Sequence, residues 1–131
     1  MKPFGFQKNE RLCSKKSIDL IFESGESTFA YPIRVSYTLS NRAPDDTPVQ
    51  IMFVVPKKKF KRAVHRNAIR RKMREAYRLN KHLLLNSCLE NGKSLRIAFI
   101  YIASEQLNYQ QILDATQKVI SMLMERTQKT D

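Results

Sequence analysis

Apolar residues are grouped along the chain with spacings that change from helical to alternating and back. Ser14 is placed to cap a short helix running to about Ser24, which Gly25 ends. Ile18, Leu20, Ile21 and Phe22 give that helix a modest apolar stripe. In "AYPIRVSYTL", Tyr31, Ile33, Val35, Tyr37 and Leu39 alternate with Pro32, Arg34, Ser36 and Thr38. A period of two predicts a strand with one buried face. The turn formers "SNRAPDDTP" follow, and "VQIMFVV" predicts a second strand that Pro56 stops. The loop between these strands is short enough for them to pair as an antiparallel hairpin.

A helical pattern opens at Arg62 or Ala63 and persists to between Leu85 and Cys88, before "NGK" breaks it. "LRIAFIYIA", residues 95–103, is apolar on both faces, as a central strand is. Asn108 with Gln111 resembles a capping box that opens a last helix, whose apolar set is Leu107, Ile112, Val119, Ile120, Leu123 and Met124. The predicted order is α-β-β-α-β-α, an α+β two-layer sandwich of helices on a small sheet. At 131 residues this is one domain, 1–131. Roughly ten N-terminal and five C-terminal residues are expected to be flexible.

Charge changes the picture. The net charge is +12, and its distribution is uneven. Lys57 to His82 holds twelve Lys or Arg against one acid, Glu75, while the rest of the chain holds twelve against eleven. So concentrated a field points to a polyanion, most directly nucleic acid. The 42% apolar share supports an ordinary core, and no run of 18 apolar residues offers a membrane span. "MKPFGFQKNERLC" has no apolar centre of the signal-peptide kind, so a cytoplasmic location is expected. Cys13 and Cys88, with no CxxC and no neighbouring His pair, read as two reduced thiols.

On a helical projection of residues 62–85, Ile69, Met73, Ala76, Leu83 and Leu84 define the core side. An adjoining face of about 140° carries Arg66, Asn67, Arg70, Arg71, Arg74, Arg78 and Lys81, with Tyr77 on the seam. Like charges at i and i+4 along Arg66, Arg70, Arg74 and Arg78 each cost a few tenths of a kcal/mol. A face selected only for solubility would interleave acids. Arginine outnumbers lysine there, and its planar fork suits phosphate and base stacking better than a membrane surface. Lys57, Lys58, Lys59, Lys61 and Arg62 add charge at the entry to the helix.

Catalytic signals are sparse. His65 and His82 are isolated, and the sequence contains no HExxH, GxSxG, Gly-rich phosphate loop or paired acids at a promising spacing. No catalytic or metal-ligating residue is assigned to the chain. A DNA reader of the helix-turn-helix kind would need a second helix before the basic one, where a strand is predicted instead. A ribosomal or RNA-assembly protein with no role in cleavage is the alternative reading.

"RNAIRRKMRE", Arg66 to Glu75, resembles the arginine-rich signature of the protein component of bacterial ribonuclease P, and "VVPKKKFKRAVH" resembles that family's strand and lysine-rich entry. The order of elements is similar from Arg11 to about Arg126. The resemblance implies a ribosomal-protein-like fold with a left-handed βαβ crossover through the arginine helix. It also implies a ribonucleoprotein that removes 5′ leaders from precursor tRNA, with one protein copy bound to a catalytic RNA that holds the magnesium ions. On this resemblance Arg66, Asn67, Arg70, Arg71 and Arg74 face RNA. A cleft between the first helix and the sheet takes the single-stranded leader, with Phe22 and Tyr37 at matching positions and Ile18 and Val35 beside them. Phe22 and Tyr37 have an alternative reading as plain core residues. Arg70 stands where many relatives have lysine, and Ile18 where an aromatic is often found.

Overall fold

A computed structural model describes residues 10–12, 14–41 and 47–128. Ser14 caps α1 (Lys15–Ser24) by accepting a hydrogen bond from the Ser17 backbone N–H at 3.3 Å. At Gly25 the chain passes so close to the backbone of Tyr37 that a Cβ would run into the carbonyl oxygens of Ile21 and, at 2.8 Å, Tyr37. There follow β1 (Glu26–Ala30), β2 (Ile33–Asn41), β3 (Val49–Val54), α2 (Ala63–Asn91), β4 (Lys93–Tyr101) and α3 (Tyr109–Gln128). Gly92 ends α2 in the left-handed conformation, φ 63°, its N–H bonded to the Cys88 carbonyl. Asn108 and Gln111 form the expected capping box, with reciprocal bonds of 3.2 and 2.9 Å.

The sheet order is β1-β2-β4-β3. β1 has no counterpart in the expected pattern, because "ESTFA" is a mostly exposed edge strand with little apolar content to mark it. Nor do β2 and β3 form a hairpin. β4 lies between them, antiparallel to β2 and parallel to β3. β4 is apolar on both faces and is stabilised most by having a strand on each side and helices above and below. α2 is the crossover that joins the parallel pair.

Strand parity divides the core in two. Val35, Tyr37, Ile51, Ile97 and Phe99 point toward α2 and α3, where Ile69, Met73, Leu84, Val119 and Leu123 meet them. On the opposite face a smaller cluster joins Leu12 and Ile21 to Ala98, with Ile18, Met52 and Ile100 packed around it. α1 therefore lies on its own side of the sheet. Cys88 is a free, buried thiol, and burial pushes its pKa up to about 11. Cys13 lies outside the described residues. So do most of the terminal residues expected to be flexible, although α3 continues to Gln128 with Thr127 buried beside Ser87.

Candidate nucleic-acid interface

Burial of Ile69, Met73, Ala76, Tyr77 and Leu84 sets the rotation of α2 on the sheet and turns the arginine side outward. Asn67, Arg71 and Arg74 are exposed, while Arg66, Arg70 and Arg78 are half-buried. Arg66 Nη1 donates to the carbonyls of Phe60 at 2.7 Å and Lys61 at 2.9 Å, tying the entry loop to the helix. That loop is anchored by Phe60, which packs against Tyr101 at 5.9 Å between ring centres. Around it Lys57, Lys58, Lys59, Lys61 and Arg62 are exposed, with Lys59 Nζ donating to the Ile102 carbonyl. Arg70 Nη1 donates to Asn67 Oδ1 at 2.7 Å, so the Arg-Asn pair organises itself before any ligand arrives. The predicted basic residues thus form one continuous surface.

Two of its members have other partners. Arg78 forms an ion pair with Glu75 at 2.6 Å. The hydrogen bond from Arg78 holds the Glu75 carboxyl below its usual pKa, and the carboxylate raises that of Arg78. Lys81 departs further from expectation: it is 1% exposed and bonds both oxygens of Glu10 at 2.9 and 2.7 Å. On the projection it shares a face with Arg70 and Arg74, but Glu10 is paired with it there. Tyr77 is buried, its ring edge-on to Phe53 and Phe99. Leu83, placed with the core by its spacing, is 43% exposed.

The buried pair makes a stability prediction. Replacing Glu10 with Ala leaves the Lys81 ammonium enclosed without its counterion and should cost about 3 kcal/mol in urea unfolding. Lys81→Met removes the cation, leaves the more exposed carboxylate free to hydrate, and should cost clearly less. Equal losses would mean that the pair contributes only packing.

The four cleft residues are not brought together. Ile18 is half-buried beside Met52 and Ile100, and Phe22 is 55% exposed on the same helix. Val35 and Tyr37 sit on the other side of the sheet, fully buried under α3. Tyr37 donates to Glu26 Oε2 at 3.1 Å, and burial, then that bond, raises its hydroxyl pKa. The cause is parity: Ser36 pairs with Ala98 across the ladder, so Ser36 shares the α1 side and its neighbours cannot. The polar members of β2, Arg34 and Ser36, are the ones that face α1. An exposed Phe29, opposite Arg34 across the β1–β2 ladder, extends this face and was missed with its strand. Of the four, Tyr37 lines a groove of about 590 Å³ between α1 and β2, together with Ser17, Leu20, Gly25, Thr38 and Arg96.

A second, smaller groove of about 180 Å³ lies at the β3 edge, where Arg11 faces Arg70 and Arg74 over Leu12, Met52 and Phe53. Arg11 is absent from the expected site because nothing local in "NERLC" distinguishes it from a solvated charge. Among the described residues no three of His, Cys, Asp and Glu are grouped as metal ligands would be.

The family model described as Ribonuclease P matches residues 6–124. The chain is 39% identical over 117 residues to the ribonuclease P protein component of Porphyromonas gingivalis, covering 88% of this chain and 83% of that protein. It is 36% identical over 107 residues to the protein of the same name from Chlorobium phaeobacteroides, covering 76% and 73%. Among solved structures, an RNase P protein from Staphylococcus aureus superposes with a TM-score of 0.66 at 20% identity, covering 86% of this chain and 94% of that one. One from Thermotoga maritima, in complex with 1-(4-fluorophenyl)-2-thiourea, gives 0.66 at 22% identity, covering 84% and 96%. An arginine-rich crossover helix, the fold around it and relatives alike over most of their length together show that the chain belongs to the ribonuclease P protein family.

Proposed function

We propose that this chain is the RNA-binding protein subunit of ribonuclease P, the ribonucleoprotein that removes the 5′ leader from precursor tRNA. The observation that carries the reading is the outer face of α2 with its lysine-rich entry, where Lys57, Lys58, Lys61, Arg62, Arg71 and Arg74 are exposed and the one acid, Glu75, is paired with Arg78. Like-charged guanidiniums at i, i+4 spacing weaken a free helix and are stabilised by a polyanion. In this reading one protein copy in the cytoplasm binds the catalytic RNA through Arg66, Asn67, Arg70, Arg71 and Arg74. That RNA holds the magnesium ions and performs the hydrolysis. The protein contributes cationic screening between two polyanions and a grip on the leader.

The leader, variable in sequence, is best held by backbone charge and stacking instead of base-edge reading. The α1 side of the sheet offers this through Phe22, Ile18 and Arg34, with Val35 and Tyr37 supporting it from beneath.

Reconstitution tests the reading. Purified protein with magnesium should not cleave precursor tRNA, whereas adding it to the matching catalytic RNA at low magnesium should increase cleavage. The gain should shrink at high salt and high magnesium, and with leaders cut to one or two nucleotides. RNA-free cleavage at the mature 5′ end, by protein free of contaminating nuclease, would overturn the proposal.

A further inference from the structure

We propose that Tyr109 is a positioning residue for the RNA-binding face: when RNA draws Arg78 away from Glu75, the Tyr109 hydroxyl takes over the carboxylate. The inference rests on the function proposed above. Tyr109 opens α3, and the Lys72 ammonium, bonded to the Leu107 carbonyl at 3.1 Å, pins that end of the helix beside α2. Glu75 stands one turn on from Lys72, and Arg78 one turn beyond that. The Tyr109 hydroxyl oxygen is enclosed and makes no hydrogen bond among the described residues. Such a group is rare in a folded chain, because it gives up its bonds to water without replacing them. Both members of the ion pair act on it: burial, then the Glu75 charge, raises its pKa, and Arg78 opposes the rise.

The chemistry of the pair explains why a waiting donor belongs at this place. Arg78 Nε and Nη2 hold the two oxygens of Glu75 at 3.0 and 2.6 Å, and both side chains stay partly exposed. A phosphate offers the arginine fork the same two-point acceptor as a carboxylate does, so Arg78 can exchange one for the other. Glu75 has no such exchange. It is the single acid between Lys57 and His82, and once released it is a bare negative charge beside the phosphates that displaced it. A hydroxyl that donates to the carboxylate lessens this repulsion and keeps Glu75 from recapturing Arg78. The raised pKa keeps the proton on Tyr109, so the group stays a donor throughout.

The test is a set of double-mutant cycles on the full chain, read both as Tm of the free protein and as affinity for the matching catalytic RNA at fixed salt. Tyr109→Phe should leave Tm unchanged, since no bond is lost, yet weaken RNA binding several-fold. Glu75→Ala removes the carboxylate that needs holding, so adding Tyr109→Phe to it should weaken binding no further. In Arg78→Ala the hydroxyl should already hold Glu75 in the free protein, so there Tyr109→Phe should lower Tm measurably. Equal weakening by Tyr109→Phe with and without Glu75 would mean that the hydroxyl touches RNA itself. No weakening beside an intact Glu75 would mean that it is idle, and a lower Tm in the otherwise unaltered protein would mean that it is already bonded. Each of these three results overturns the inference. If the unaltered protein does not bind that RNA, the proposed function falls and takes the inference with it.

Discussion

Affinity for the partner RNA should fall on the order of several hundred-fold as monovalent salt rises from about 50 to about 200 mM. The estimate assumes about six phosphates neutralised, which gives log K a slope of roughly −4 to −5 against log[salt]. Six is fewer than the cations on this side of the protein, for structural reasons. Arg66 is engaged by the carbonyls of Phe60 and Lys61, Arg78 by Glu75, and Lys81 is buried. Lys57, Lys58, Lys61, Arg62, Arg71 and Arg74 remain exposed and close to one another along the helix and its entry. Filter binding or fluorescence anisotropy at several salt concentrations measures the slope. A nearly flat response would remove the electrostatic account of the α2 face.

Core and surface substitutions on α2 should separate cleanly. Ile69 and Met73 are wholly buried against the sheet, and truncation to Ala should cost on the order of 2–4 kcal/mol each. For a domain of this size that lowers Tm by roughly 10 °C or more. Arg71→Ala, on the exposed side, should change stability by about 0.5 kcal/mol or less while reducing RNA affinity. Arg66→Ala is intermediate. Losing two bonds to the entry loop should cost about 1 kcal/mol in addition to its effect on binding. Thermal melts beside RNA titrations of the same four variants check this ordering. If Arg71→Ala melts as early as Ile69→Ala, the rotation of α2 is wrong.

Both expectations depend on a helix that is plain in the sequence. Residues 62–85 show their apolar side, their charge and their Gly92 stop without any tertiary information, because each is a property of neighbours within one or two turns. The same holds for the cap at Ser14, the capping box at Asn108 and the doubly apolar β4. Local chemistry also sufficed to place a concentrated basic face on one helix, and the "RNAIRRKMRE" motif to suggest the family.

Long-range contacts decided the rest. Alternation in β2 reveals two faces but not which one α1 covers, so Val35 could be assigned beside Ile18 and Phe22 although its side chain packs on the opposite face of the sheet. Loop length between β2 and β3 suggests a hairpin, yet the doubly apolar β4 is stabilised more by entering between them than by lying at an edge. β1 becomes a strand only because β2 offers it a ladder. Helical projection places Lys81 with Arg70 and Arg74, and only Glu10, 71 residues away in the chain, turns it into a buried clamp. The clamp and the Arg11–Ile51 bridge, pairing residues far apart in sequence, set Arg11 opposite the helix arginines. Periodicity reports which side of an element is apolar; what covers that side depends on segments distant in the chain, and their competition for it is settled only when the whole core packs.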